Sequence, residues 1–328
     1  MLQFLIKRIL YMIPTLLAIS IVAFIIIQLP PGDYLTTLVA SLASQGEDID
    51  PAALQALKER YGLGQPIYVQ YYKWISGIVL RGDFGQSFAW NMPVKDLIWS
   101  RLALTFVLSL SSLLFVWIVA FPIGIYSAVK QYSIGDYIAT FLGFIGLATP
   151  NFLLALILMY IAFKYFNQSV GGLFSPEYQD APWSWAKVVD MLSHLWIPVI
   201  IIGTAGTAGL IRVMRANLLD ELRKPYVVTA RAKGLPEWKL LFKYPVRVAL
   251  NPFISTVGWV LPTLVSGAAI TSIVLSLPTT GPLLIRALMS QDMYLAGSFI
   301  LMLSVLTVIG TLVSDLLLAW LDPRIRLE

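Results

Sequence analysis

About six stretches of the chain are apolar for long enough to cross a bilayer: 9–29, 102–129, 138–163, 195–211, 252–275 and 296–321. At 1.5 Å per residue, about 17–25 residues cover a hydrocarbon core roughly 30 Å thick. Within lipid only a structure that satisfies its own backbone survives, and runs this long do so as helices. The pattern therefore predicts an all-α integral membrane protein. Pro122, Pro150 and Pro262 fall inside the runs and predict kinks, because each removes a backbone N–H.

The first run follows Lys7 and Arg8, as a secretory signal would. A signal core, however, is about 7–15 residues, and this run continues with bulky Ile and Phe until the Leu29-Pro30-Pro31-Gly32-Asp33 turn. It reads as a retained transmembrane helix, 1–30. Residues 31–101 are polar enough to lie outside the membrane. Asp50-Pro51 can open a helix there that Gly62 and Gly64 stop. A second helix is expected from Pro66 to Leu80, with Tyr71, Trp74, Ile75 and Ile78 on one face. That stripe is expected to pack on the membrane domain or lie at its surface. Residues 102–321 then form the main transmembrane domain, with a cytoplasmic loop at 216–249, and 322–328 a short tail.

Composition agrees with the pattern. Hydrophobic residues make up 58% of the 328 and charged residues 12%, against about 25% charged in soluble domains. Cysteine is absent and His194 is the single histidine, which excludes disulfides, thiolate sites and His-rich metal clusters. No Gly-rich turn leads into Gly-Lys-Ser or Gly-Lys-Thr, and no HExxH or GxSxG occurs, so the chain carries neither a phosphate loop nor these hydrolase signatures. Asp315 is the clearest intramembrane acid, expected to pair with a basic or backbone group. Lys and Arg concentrate in the short segments that share a side with the N-terminus. This places both termini and the basic loop in the cytoplasm, so the net charge of +5 reports orientation and not nucleic-acid binding.

That loop centres on Arg223-Lys224-Pro225-Tyr226-Val227-Val228-Thr229-Ala230-Arg231-Ala232-Lys233-Gly234-Leu235. Lys239, Lys243 and Arg247 add to its charge, opposed by Asp220, Glu221 and Glu237. Pro225 can start a short helix, on which Tyr226, Thr229, Ala230 and Lys233 share one face. Gly234 permits a left-handed cap, and Pro236 starts a second helix at a new angle. Ala230 and Gly234 are small enough for a partner's backbone to approach. On the residues alone, a solvated basic loop is the simplest reading.

Residues 226–235 closely resemble the EAA loop of bacterial ABC importer permeases, in the form found in the dipeptide, oligopeptide and nickel branch. FLIKRILYMIPTLLAIS at 4–20 with Pro31-Gly32-Asp33 resembles the start of that branch's B-type subunit, GDFGQS at 82–87 its GDxGxS segment, and LDPRIR at 321–326 its end. Val228 stands where the general pattern has glutamate. The resemblance implies a type I importer permease fold with an extracytoplasmic helical insertion after the first helix. It implies alternating access beside a homologous second permease in the bacterial inner membrane. Of two ATPase subunits, one would dock on Tyr226, Thr229, Ala230, Arg231, Lys233, Gly234, Leu235 and Pro236, and the other on the second permease. A substrate-binding protein would dock outside on segments such as 70–87 and 276–293. ATP and Mg would be bound by the ATPases, with no cofactor in this chain. Peptides are the cargo expected by default; the same branch also carries oligosaccharide, nickel and glutathione. From another class, a stand-alone proton-coupled transporter would use Asp315.

Overall fold

The computed structural model describes residues 2–28, 55, 59, 64–87, 89–90, 92–166, 171–256, 269–290 and 292–321. Among these, four helices are long and apolar enough to cross a membrane, through Ile6–Ile26, Val94–Val129, Trp185–Thr204 and Tyr294–Trp320. They belong to α1 (Leu2–Gln28), α3 (Val94–Val129), α6 (Trp185–Leu222) and α13 (Met293–Leu321). Pro14, Pro122 and Pro198 lie inside helices that continue past them. Helix α6 begins ten residues before the expected 195, because the Ser184 hydroxyl accepts the Lys187 N–H at 3.2 Å and caps it there.

The run at 138–163 is broken far more sharply than a proline kink. It is two helices, α4 (Ile134–Ala148) and α5 (Asn151–Phe166), meeting at 102°. The cause is local. Proline disfavours helical geometry in the residue before it, and Thr149 is extended at φ −83, ψ 121. The Thr149 N–H and hydroxyl both turn back to the Ile145 carbonyl, at 2.9 and 2.8 Å, closing α4. The Pro150 carbonyl accepts from Leu153 and Leu154, opening α5. The expected span at 252–275 is described only at its ends, by α10 (Asn251–Thr256) and α11 (Ala269–Val274), and Pro262 lies outside the described residues, as do Asp50-Pro51, Gly62 and the 322–328 tail.

The chain divides into two compact units. One comprises Lys7–Ala103 and Leu283–Leu306. In it α2 (Ile67–Arg81) carries the stripe read from the sequence, and that stripe packs on α1 and α13: Tyr71, Trp74, Ile75 and Ile78 meet Ile19, Ala23, Phe24, Tyr294 and Leu301. The Tyr71 hydroxyl lies 2.6 Å from Ser20 Oγ. Gly82, at φ +62, ends α2 in the left-handed region, where glycine has no Cβ penalty. A two-stranded antiparallel hairpin follows, β1 (Gln86–Ser87) with β2 (Met92–Pro93).

The other unit comprises Met1–Ile6, Leu104–Pro282 and Thr307–Glu328. Close approach of α3 and α6 is built into its glycines: a Cβ on Gly203 would stand 2.5 Å from Phe115 Cδ1, and one on Gly124 2.7 Å from Met214 Cβ. In lipid such contact is gained by van der Waals packing, since tails are as apolar as leucine. Toward its basic-loop end, Ile211, Met214 and Leu218 of α6 pack with Ala120 and Ala128 of α3, Val246 and Ala249 of α9 (Pro245–Ala249) and Phe253, whose ring stacks on Phe121 at 4.3 Å. At the other end, Ser175 donates to both Asp190 oxygens, by its N–H at 2.8 Å and its hydroxyl at 2.6 Å. Lys187 donates to the Ala181 carbonyl at 2.6 Å beneath the Phe174 and Trp183 rings. The segment 171–184 is thereby fixed to the start of α6.

Candidate functional site

The basic loop is two short helices, α7 (Pro225–Ala232) and α8 (Glu237–Lys243), hung from the end of α6. Pro225 occupies the first position of α7, where its missing N–H is no loss. Lys233 is the C-cap, and Gly234 follows at φ +76. The Gly234 N–H donates to the Arg231 carbonyl at 3.0 Å and the Leu235 N–H to the Ala230 carbonyl at 3.4 Å. These are the two bonds of a Schellman termination. A Cβ on Gly234 would meet nothing within 4 Å, so glycine is needed for its backbone conformation and not for space.

Val227, Ala230 and Leu240 are buried together with Leu235 and Tyr244 against them, giving the loop a small core of its own. Ala230 is 7% exposed. It was expected on the outward face, and this is a correction: α7 turns Val227 and Ala230 inward because Leu240 of α8 closes over them. Tyr226, Thr229, Arg231, Lys233, Gly234 and Pro236 are all exposed, and Leu235 is half-buried. The outward surface also includes residues the sequence did not single out, Val228 at 55% and Trp238 at 64% exposure. Large apolar side chains left in solvent beside lysines were the available signal.

Two ionic contacts brace the loop. Arg231 reaches both oxygens of Glu237, Nε to Oε1 at 2.6 Å and Nη2 to Oε2 at 3.2 Å, clasping α7 to α8. The guanidinium holds the Glu237 carboxyl below its ordinary range. Glu221, at the end of α6, accepts from Lys224 Nζ at 2.5 Å and from the Tyr226 hydroxyl. Burial first, then the Glu221 carboxylate, push the Tyr226 phenol above its ordinary value, so at neutral pH it stays a donor.

A third contact lies further up α6. Arg215 engages Asp136 through Nε and Nη2. Asp136 also accepts the Tyr132 N–H at 3.0 Å, while its own N–H is capped by Ser133 Oγ at 3.3 Å. One buried carboxylate thus shapes the α3–α4 turn, including Tyr132 at φ +63, and ties it to α6. Asp315, expected as the clearest intramembrane acid, is only half-buried on α13 and is not an isolated charge; Asp136 and Asp292 are buried more deeply. His194 is buried inside α6, with Nδ1 2.8 Å from the Asp190 carbonyl oxygen one turn earlier. Among the described residues no group of three or more His, Asp or Glu could hold a metal.

Residues 120–327 match the family described as binding-protein-dependent transport system inner membrane component, and residues 1–110 match its N-terminal membrane component. The chain is 37% identical to the oligopeptide transport system permease protein AppB of Bacillus subtilis, covering 99% of this chain and 100% of that protein. It is 32% identical to the dipeptide transport system permease protein DppB of Alkalihalophilus pseudofirmus, over 99% and 100%. To DppB of Escherichia coli K12 it is 29% identical, over 99% of each.

Proposed function

The chain belongs to the binding-protein-dependent transport system inner membrane components, and from that membership we propose that it carries peptides and is driven through 225–243. It is a multi-pass permease subunit of an ABC importer, a transport component and not an enzyme. Peptides are the cargo because the similar permeases just described are named for oligopeptides and dipeptides.

The observation that carries the coupling role is the build of the loop. A private core, a Schellman turn and the Arg231–Glu237 clasp make α7 and α8 one small rigid body. Its outward side shows Val228, Thr229, Arg231 and Trp238, which suit a cleft on a soluble ATPase. Each of two ATPases, binding ATP and Mg, takes one such body, here and on a homologous second permease. Their closure on ATP draws the bodies together, and the bundles rock from inward- to outward-facing. Both termini are cytoplasmic, and a peptide-loaded binding protein docks on outer segments such as 70–87 and 276–293.

Cysteine cross-linking tests this, since the chain has no cysteine of its own. Val228→Cys and Trp238→Cys are expected to cross-link to an ATPase subunit, and Tyr68→Cys on α2 to react only with impermeant thiol reagents added outside. Cross-linking of Tyr68→Cys to the ATPase, with none at the loop positions, would reverse the assignment.

A further inference from the structure

The GDFGQS segment, 82–87, leads from the end of α2 into the hairpin. Its Asp83 carboxylate accepts the Gly85 N–H at 3.0 Å, and the Val94 N–H closes on the Gly85 carbonyl at 3.0 Å, so the hairpin is folded tightly on itself. Ser87 is fully buried, and its hydroxyl donates to Asp292 Oδ2 at 2.5 Å, a residue 205 positions later. The same oxygen takes the Ala89 N–H, and Oδ1 takes the Leu295 N–H in the first turn of α13, each at 3.3 Å. The Asp292 N–H donates to the Ala287 carbonyl at 2.8 Å, at the end of α12 (Thr280–Met289). Ser298 Oγ adds a bond to the Phe84 carbonyl at 3.2 Å. Around these sit Phe84, Trp90, Val94, Leu97, Ile98, Leu283, Ala287, Leu295 and Phe299, an apolar cluster that would hold without a charge in it.

Asp292 is 1% exposed. Burying a carboxylate is a poor way to gain stability, since apolar replacements of the same shape do as well; what it can fix is one arrangement among several. Here the arrangement joins three segments at one side chain: the hairpin, the end of α12 and the start of α13. Two of them lie in the stretches where the binding protein is expected to dock.

We propose that Asp292, through Ser87, is a positioning residue that makes the outer hairpin and the start of α13 move as one piece, so that docking of the loaded binding protein is delivered directly to α13. This rests on the importer reading above. Segments tied only by apolar packing can slide; segments sharing a charged hydrogen-bond hub cannot do so without stranding the carboxylate.

The test uses the whole complex with its ATPases in liposomes, with loaded binding protein added outside. Ser87→Ala, Asp292→Asn and the double variant are compared for binding-protein affinity and for the ratio of stimulated to basal ATP hydrolysis. The ratio at saturating binding protein is expected to fall about tenfold in each single variant, within the usual range of coupling between sites. The double variant is expected to be no worse than the worse single one, because both break the same contact. An unchanged ratio in both single variants overturns the proposal, and so does a loss of basal and stimulated hydrolysis in equal proportion, which marks a merely structural role. If Asp292→Asn does not assemble, Ser87→Ala decides alone. Failure of the wild-type complex to respond to any binding protein would instead remove the importer reading itself.

Discussion

Arg215 donates two hydrogen bonds to Asp136 across 79 residues of chain, Nε to Oδ1 at 3.1 Å and Nη2 to Oδ2 at 3.0 Å. The carboxylate is nearly fully buried and the guanidinium about one quarter exposed, at 4% and 27%. Such a pair is costly to break from one side, because Arg215 keeps its charge in a largely desolvated place and the α3–α4 turn loses its acceptor. Asp136→Ala is expected to destabilise the purified complex by about 1–3 kcal/mol. Asp136→Asn combined with Arg215→Met removes both charges and is expected to recover most of that. Thermal unfolding in detergent measures both; an Asp136→Ala protein as stable as wild type would show the pair to be incidental.

Gly234 makes a second prediction. Since its φ of +76 is the constraint and the space around it is open, substitution is graded by backbone preference and not by size. Gly234→Val is expected to cost about 1–2 kcal/mol in the loop, Gly234→Asn less. Uptake per ATP hydrolysed is the readout. If Gly234→Trp proves far worse than Gly234→Val, size matters after all, and an ATPase surface must approach the glycine closely.

The two braces of the loop titrate outside the physiological range, in opposite directions. Glu237 has a lowered carboxyl pKa, so the stability its clasp adds is present above the ordinary value of 4.5 and fades as pH falls below it. Tyr226 has a raised pKa, so its contribution is present below 10.0 and fades as pH rises beyond that. Recovery of ATPase with the permease is therefore expected to be flat between about pH 6 and 9 as far as these groups act. Tyr226→Phe is expected to loosen the α6–α7 joint by about 1 kcal/mol, seen as faster tryptic cleavage after Arg223, the bond after Lys224 being protected by Pro225. Unchanged cleavage would remove the Glu221 contact from the account.

Pro150 makes the fourth. Pro150→Ala restores an N–H and frees Thr149 from its extended geometry. In the cysteine-free chain, spin labels at exposed Phe141 and Tyr160 report the angle between α4 and α5. The separation is expected to lengthen as the 102° break opens, with uptake falling while membrane insertion is kept. An unchanged distance would mean that packing against α6, and not the proline, sets the break.

What the sequence revealed was periodic or conformational. The α2 stripe at Tyr71, Trp74, Ile75 and Ile78, and the left-handed glycine at 234, are local properties, and local spacing reports them. Contacts between distant residues leave no such trace: nothing near Asp136 points to Arg215, or near Ser87 to Asp292. The faces of α7 were ambiguous for a different reason. In an eight-residue helix, one grouping through 226, 229, 230 and 233 and another through 227 and 230 are equally regular. Only the arrival of Leu240 decides which is inside. The sharp break at Pro150 was underestimated because a proline in an apolar run signals where a helix changes and not by how much.

The 38-residue length of α6 has a mechanical consequence. At 1.5 Å per residue it measures up to about 57 Å from Trp185 to Leu222. It is a lever arm: turned by about 10° around its Trp185 end, it sweeps the loop end through about 10 Å. Because Met214 and Arg215 near that end are held by Gly124 of α3 and Asp136 of α4, such a rotation carries the three helices together and does not slide one along another.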